Sequence, residues 1–72
     1  MFIMTVDITK KFGLGVKKIR LGKQMSQGDI AKILGVDPSY ISQIERGIGN
    51  MSLRKIERLA QALGVSIEDL LK

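Results

Sequence analysis

The chain has 72 residues with no Cys and no His, which excludes disulfide bonds, thiolate or imidazole metal ligands and a histidine general base. A chain of this length forms one small domain that buries only roughly 60% of the surface exposed in the unfolded state. The net charge is +5, and the whole excess lies in residues 1–35, which contain seven Lys and Arg residues and two Asp residues. Such a basic half suits a polyanionic partner, although charge alone fits a solvated surface equally well.

The first predicted helix runs from about Asp7 to Leu21. Apolar side chains recur along it at the spacing of one helix face, and those expected to point inward are Ile8, Phe12, Val16 and Ile19. Gly13 and Gly15 lie inside this helix and weaken it by roughly 1 kcal/mol each relative to Ala. The helix is therefore predicted from its apolar pattern, in spite of two poor helix formers.

Two short helices with a tight turn between them are predicted next. Ser26 is a favourable N-cap for the first, although Asp29 makes an imperfect capping box because that position prefers Glu or Gln. Gly35 ends this helix, and Asp37 caps the second. The first helix carries an apolar stripe near helical spacing, formed by Ile30, Ala31, Ile33 and Leu34, and the second is expected to turn Ile41 and Ile44 inward. The short joint, residues 35–37, forces the two helices to cross steeply.

Two further helices complete the predicted fold. Ser52 caps the fourth helix and Gly64 ends it, and its expected inward residues are Leu53, Ile56, Leu59, Ala60 and Leu63. Ser66 caps a short fifth helix. Five short helices with brief loops predict a compact all-α domain. Some apolar residues are more than such a core needs, namely Phe2, Ile3, Met4, Ile67 and Leu71. They favour a self-association surface over a frayed terminus with ordinary exposed apolar atoms.

The central segment resembles the Cro/repressor-type (XRE-like) helix-turn-helix family of bacteria and phages. The shared pattern is Ser26-Gln27-x-x-Ile30-Ala31-x-x-Leu34-Gly35-Val36-x-x-x-Tyr40-Ile41-Ser42-x-Ile44-Glu45-Arg46-Gly47. Matching patterns on both sides extend the resemblance over nearly the whole chain after Lys10. It implies a lambda-repressor-like DNA-binding domain over residues 1–72, with the motif at about 26–46. Residues 45–53 are further similar to the controller proteins of restriction–modification systems.

The second helix of the motif presents outward side chains that we expect to contact bases in the major groove. Gln43 can form two hydrogen bonds with an adenine or another base, and Ser39 and Ser42 can bond either base type. Pro38, where many family members carry a polar or basic residue, can make only an apolar contact, for instance with a thymine methyl group. With so few bidentate donors, DNA shape is expected to contribute to specificity.

A second set of residues is predicted to contact the sugar-phosphate backbone, namely Gln27, Tyr40, Arg46, Asn50, Lys17 and Lys23. Tyr40 fits a partial cover of the core almost as well, and both lysines fit a solvated surface equally well. The resemblance implies that Glu45 forms a structural ion pair with Arg20. Arg20 is therefore not expected to contact DNA.

These features predict a cytoplasmic transcriptional regulator, such as a repressor or controller, that binds a palindromic operator in double-stranded DNA as a homodimer. It would act by occluding RNA polymerase or by touching it. The alternative is an antitoxin or adaptor that uses the same helices to bind a protein. An enzyme is not expected, because isolated Ser and Lys side chains have no visible activating base. We expect no metal, cofactor or small-molecule ligand, and no segment approaches the ~20 apolar residues that span a bilayer.

Overall fold

The computed structural model describes residues 7–48 and 51–72, and all regular structure within these ranges is α-helical. The helices are α1 (Ile8–Gly22), α2 (Gln27–Leu34), α3 (Pro38–Glu45), α4 (Leu53–Leu63) and α5 (Ile67–Leu70). The predicted all-α class and the predicted order of helices are confirmed, and α2 and α3 form the helix-turn-helix. No helix in the described ranges is long and apolar enough to cross a lipid bilayer.

Side-chain caps fix where each described helix begins. The residues Asp7, Ser26, Asp37, Ser52 and Ser66 each accept a hydrogen bond from a backbone N–H of the following turn. At α2 the Ser26 hydroxyl accepts from the Asp29 N–H at 2.9 Å, and the Asp29 carboxylate accepts from the Ser26 N–H at 2.8 Å. The expectation of an imperfect capping box is therefore wrong, because the shorter Asp side chain still reaches the N-cap N–H.

The core lies where the helices meet. Among the described residues, its buried apolar members are Phe12, Val16, Ile30, Ala31, Ile41, Ile44, Leu59, Ala60, Leu63 and Leu70. α3 packs against both α1 and α2, α2 also packs against α4, and α5 packs against α1 and α4. This arrangement holds α3 from one side and leaves its other side to solvent.

Two glycines in α1 allow this close packing. A Cβ on Gly13 would overlap the backbone carbonyl oxygen of Ile44 in α3, and a Cβ on Gly15 would overlap that of Leu70 in α5. Helix propensity describes these residues only as poor helix formers. In the folded chain they are the points at which the backbone of α1 approaches two other helices.

Three side chains on the predicted apolar stripes are exposed. The exposed fractions are 59% for Ile8, 58% for Ile33 and 82% for Leu53. Helical periodicity identifies an apolar stripe but not its limits, and these residues lie where the stripe extends beyond the neighbouring helices. Ile8 and Leu53 belong to an apolar groove described below.

Candidate DNA-binding surface

α3 presents a polar surface to solvent. Its apolar residues Ile41 and Ile44 are buried in the core. On the other side, Pro38, Ser39 and Gln43 are exposed and Ser42 is half-buried. Because positions three and four residues apart lie on the same side of a helix, these four residues share one surface. We call it the recognition face, defined by Pro38, Ser39, Ser42 and Gln43, and it brings together all the predicted base contacts.

The N-terminal end of α3 is fixed by its cap. The Asp37 carboxylate accepts from the Ser39 N–H at 2.8 Å, and Pro38 lies in the first turn, where no backbone N–H is required. Hydrogen bonding from the backbone and then the side chain of Ser39 lowers the pKa of Asp37. The carboxylate is therefore ionised at neutral pH, and the recognition face begins from a fixed backbone.

The C-terminal end of α3 is fixed by a buried ion pair. The Glu45 carboxylate accepts from Arg20 Nε at 2.6 Å and from Arg20 Nη2 at 3.0 Å. Arg20 Nη1 donates to the Met25 carbonyl at 2.8 Å, and the carboxylate raises the pKa of Arg20. The structure thus brings Arg20 and Glu45 together as the resemblance implies. Each guanidinium nitrogen already donates within the protein, so Arg20 is poorly placed to bind a phosphate.

Gln27, the first residue of α2, joins the same polar cluster. Its Nε2 donates to Glu45 Oε1 at 3.0 Å, and the residue is half-buried. The sequence predicts a phosphate contact for Gln27 but gives no signal for this bond, because the partners lie on different helices. We call Arg20, Gln27 and Glu45 the polar anchor. It joins α1, α2 and α3.

Thr9 in α1 makes a second contact with the same end of α3. The single proton of its hydroxyl can be donated either to the Asp7 carboxylate, at 2.7 Å, or to the Gly47 carbonyl just beyond α3, at 3.1 Å. Gly47 has a φ of 76°, and a Cβ there would lie within 3 Å of Lys10 atoms, so only glycine fits this contact well. Sequence reasoning predicts a helix end at Gly47 but misses Thr9, because no local pattern marks a threonine for such a bond.

Tyr40 lies at the edge of α3 and not on the recognition face. It is half-buried and packs against the core, and its buried hydroxyl oxygen has no hydrogen-bond partner among the described residues. Lys55 Nζ in α4 lies 5.6 Å from the centre of its ring, within the range of a cation–π interaction. The structure therefore places Tyr40 as partial core cover, and a phosphate contact would require its hydroxyl to become exposed.

The remaining candidates for backbone contact are dispersed. Lys17 lies in α1, Lys23 directly follows it, and Arg46 directly follows α3. All three are exposed. Asn50 lies outside the described residues.

An apolar groove lies between the start of α1, the end of α3, α4 and α5. It has a volume of about 310 Å³ and is lined by Ile8, Thr9, Phe12, Ile44, Gly47, Ile48, Met51, Leu53, Ile56, Ile67 and Leu71. None of the described residues that line it is charged. Two of the predicted surplus apolar residues, Ile67 and Leu71, belong to this groove. The other three, Phe2, Ile3 and Met4, lie outside the described residues.

Known proteins share both the sequence pattern and the fold. The family model described as Helix-turn-helix (HTH_3) matches residues 16–70. The control protein C.BamHI of Bacillus amyloliquefaciens is 48% identical over 69 residues, which cover 94% of this chain and 85% of that protein. The crystal structure of the restriction–modification controller protein C.AhdI from Aeromonas hydrophila has a TM-score of 0.81 and 39% identity, over 86% of this chain and 94% of that one.

The same helical arrangement also occurs inside a longer protein. The structure of hydroxypropylphosphonic acid epoxidase from S. wedmorenis has a TM-score of 0.86 and 30% identity, over 92% of this chain but only 35% of that one. The fold alone therefore does not determine function. The family match and the relatives aligned over most of both lengths do establish the family. This chain belongs to the helix-turn-helix family of DNA-binding transcriptional regulators.

Proposed function

We propose that this protein is the controller of a restriction–modification system and binds a palindromic operator as a homodimer. The recognition face supports this most directly, because it presents polar side chains on a helix held at one end by the Asp37 cap and at the other by the polar anchor. The restriction–modification context comes from the similarity to C.BamHI and C.AhdI. The chain would act in the cytoplasm as a single domain, by occluding RNA polymerase or by touching it.

The recognition face is proposed to enter the major groove with its N-terminal end first. Gln43 is the residue with paired donor and acceptor atoms, which suit the N6 and N7 edge of adenine. Ser39 and Ser42 add single hydrogen bonds, and Pro38 packs against a thymine methyl group. Since only one of these four side chains is bidentate, sequence-dependent DNA shape supplies part of the specificity.

Gln27 is proposed to connect the DNA backbone to the polar anchor. One hydrogen of its amide nitrogen is donated to Glu45, and an amide nitrogen carries two. The second hydrogen can therefore bind a phosphate oxygen while the first bond persists. The other proposed phosphate contacts are Lys17, Lys23, Arg46 and Asn50, with Tyr40 joining them only if its hydroxyl leaves the core.

The apolar groove is the proposed dimer interface. A two-fold dimer places two recognition helices about 34 Å apart, one turn of B-DNA, whereas one helix contacts only a few base pairs. Stable interfaces bury about 800 Å² per partner around an apolar centre, and the exposed side chains of Ile8, Ile48 and Leu53 offer such a centre. Because the groove begins at the C-terminal end of α3, pairing there leaves the recognition face uncovered.

Selection of binding sites from random double-stranded DNA tests this function. We expect enrichment of a palindrome with half-sites about ten base pairs apart. The double variant Ser39→Ala, Gln43→Ala is the matched control, because both side chains are exposed and their removal does not disturb the core. If the native chain enriches no sequence, the proposed function is wrong.

A protein-interaction module, such as an antitoxin or adaptor, is the second candidate. The apolar groove favours it, because a different protein could bind where we place a second copy. Normal function in cells after Ser39→Ala and Gln43→Ala, together with a monomer that co-elutes with a candidate protein partner, would select this candidate. Neither candidate includes catalysis, since the chain has no His or Cys to activate a nucleophile.

A further inference from the structure

The outward side of α1 carries a surface that lies outside the recognition face and the apolar groove, although one of its lysines, Lys17, is also a proposed phosphate contact. Leu14 and Leu21 lie seven residues apart along its centre, and lysines border them on both sides at positions Lys10, Lys11, Lys17 and Lys18. We call these six residues the lysine–leucine face. Its leucines are largely in water, with exposed fractions of 64% for Leu14 and 55% for Leu21. α1 meets the core through its opposite side.

The lysines of this face form no ion pair in the described structure, although the charge of Lys10 interacts with the Asp7 carboxylate three residues away. α1 contains no Asp or Glu. The ion pairs among residues 7–48 and 51–72 are Arg20–Glu45 and Lys72–Asp69, so none of the four lysines is paired there. The face therefore combines four unpaired positive charges with two exposed leucines.

We propose that the lysine–leucine face docks an acidic amphipathic helix of a partner protein. Such a helix presents apolar side chains to Leu14 and Leu21 and carboxylates to the surrounding lysines, which steers the encounter and sets the register. DNA fits less well, because phosphates can pair with lysines but leave both leucines without an apolar partner. A lipid surface also fits less well, because interfacial helices carry a broad apolar side and this face has two apolar residues.

The probe is a synthetic helical peptide with leucines on one side, bordered by glutamates. We expect it to shift the amide resonances of residues 8–22 in the isotope-labelled full chain. The variant Leu14→Ala, Leu21→Ala should weaken this binding by about tenfold, with the melting temperature and operator affinity unchanged. The variant Lys11→Glu, Lys18→Glu should also lose binding of the glutamate peptide. It should instead bind a peptide in which lysines replace the glutamates.

Four results of control experiments would overturn the proposal. If a peptide with serines in place of its leucines binds equally well, the face attracts the peptide by charge alone and Leu14 and Leu21 do not contribute. Resonance shifts confined to the apolar groove, or no shifts, would place the site elsewhere or remove it. Loss of operator affinity in the leucine variant would assign the face to DNA. Binding to phosphatidylserine vesicles without peptide binding would assign it to lipid.

Discussion

The polar anchor and the apolar groove both border the C-terminal end of α3, but among the described residues only the anchor has all of its contacts satisfied. In the anchor, both Glu45 oxygens and all three nitrogens of the Arg20 side chain take part in hydrogen bonds. In the groove, Leu53 and Ile8 remain 82% and 59% exposed. The contrast indicates that the described residues suffice to position α3 but leave the apolar groove open to solvent, as the proposed dimer interface requires.

The largest effect is expected when the polar anchor is broken. Glu45→Ala leaves the Arg20 guanidinium buried without its partner, which should lower the free energy of unfolding by about 3–5 kcal/mol. The double variant Arg20→Met, Glu45→Leu removes both charges and should regain most of the loss. Urea unfolding measures each variant. A loss below about 1 kcal/mol for the single variant, as for exposed pairs, would show that the anchor is not buried in solution.

Gly13→Ala tests the contact that holds α1 against α3. Helix propensity alone predicts a gain of about 1 kcal/mol, but the new Cβ would overlap the Ile44 carbonyl oxygen. We therefore expect a loss of about 1–3 kcal/mol from overpacking. Gly22→Ala in the same helix is the matched control, because nothing lies within 4 Å of its Cβ position. Equal gains in thermal stability for both variants would contradict the close approach of the two helices.

Leu53→Ser tests whether the groove pairs two copies. Because this side chain is 82% exposed in one chain, the substitution should leave the unfolding free energy of the monomer nearly unchanged. It should weaken dimer association by about tenfold, or about 1.4 kcal/mol, as measured by sedimentation equilibrium. Ile33→Ser is the control, since Ile33 is also exposed, at 58%, but lies outside the groove. If both variants dimerise like the native chain, the interface lies elsewhere.

The smallest effect is expected when the pH is lowered, which should weaken the caps at the start of α1, α2, α3 and α5. The pKa values of Asp7, Asp29, Asp37 and Asp69 lie below 3.8, because the Thr9 hydroxyl hydrogen-bonds to Asp7 and backbone N–H groups hydrogen-bond to the other three. Their contribution to stability is full above 3.8 and is lost as the pH falls through the lowered values. Circular dichroism against pH measures this loss, which Asp29→Asn should reduce. Stability that does not change over this range would contradict the prediction.

Local sequence signals predict the helices and the recognition face because their physical causes are local. The Ser26 and Asp37 caps bind N–H groups two or three residues away, and the polar surface of α3 follows from helical spacing. Contacts between helices leave weaker signals. The Arg20–Glu45 pair is implied only by the family resemblance, and the bond from Gln27 has no local signature. Periodicity likewise places Leu53 on an apolar stripe without indicating whether another helix covers it.

The central claim is that the recognition face contacts DNA bases, and Gln43→Ala tests it most directly. Affinity is measured for the selected operator and for a scrambled duplex, over a salt series. We predict a loss of about 1–3 kcal/mol on the operator alone. The scrambled affinity and the salt slope should stay unchanged, because no phosphate contact is removed. Gln61→Ala, at an exposed glutamine of α4, should alter neither. An equal loss on both duplexes, or no loss on the operator, would contradict the account.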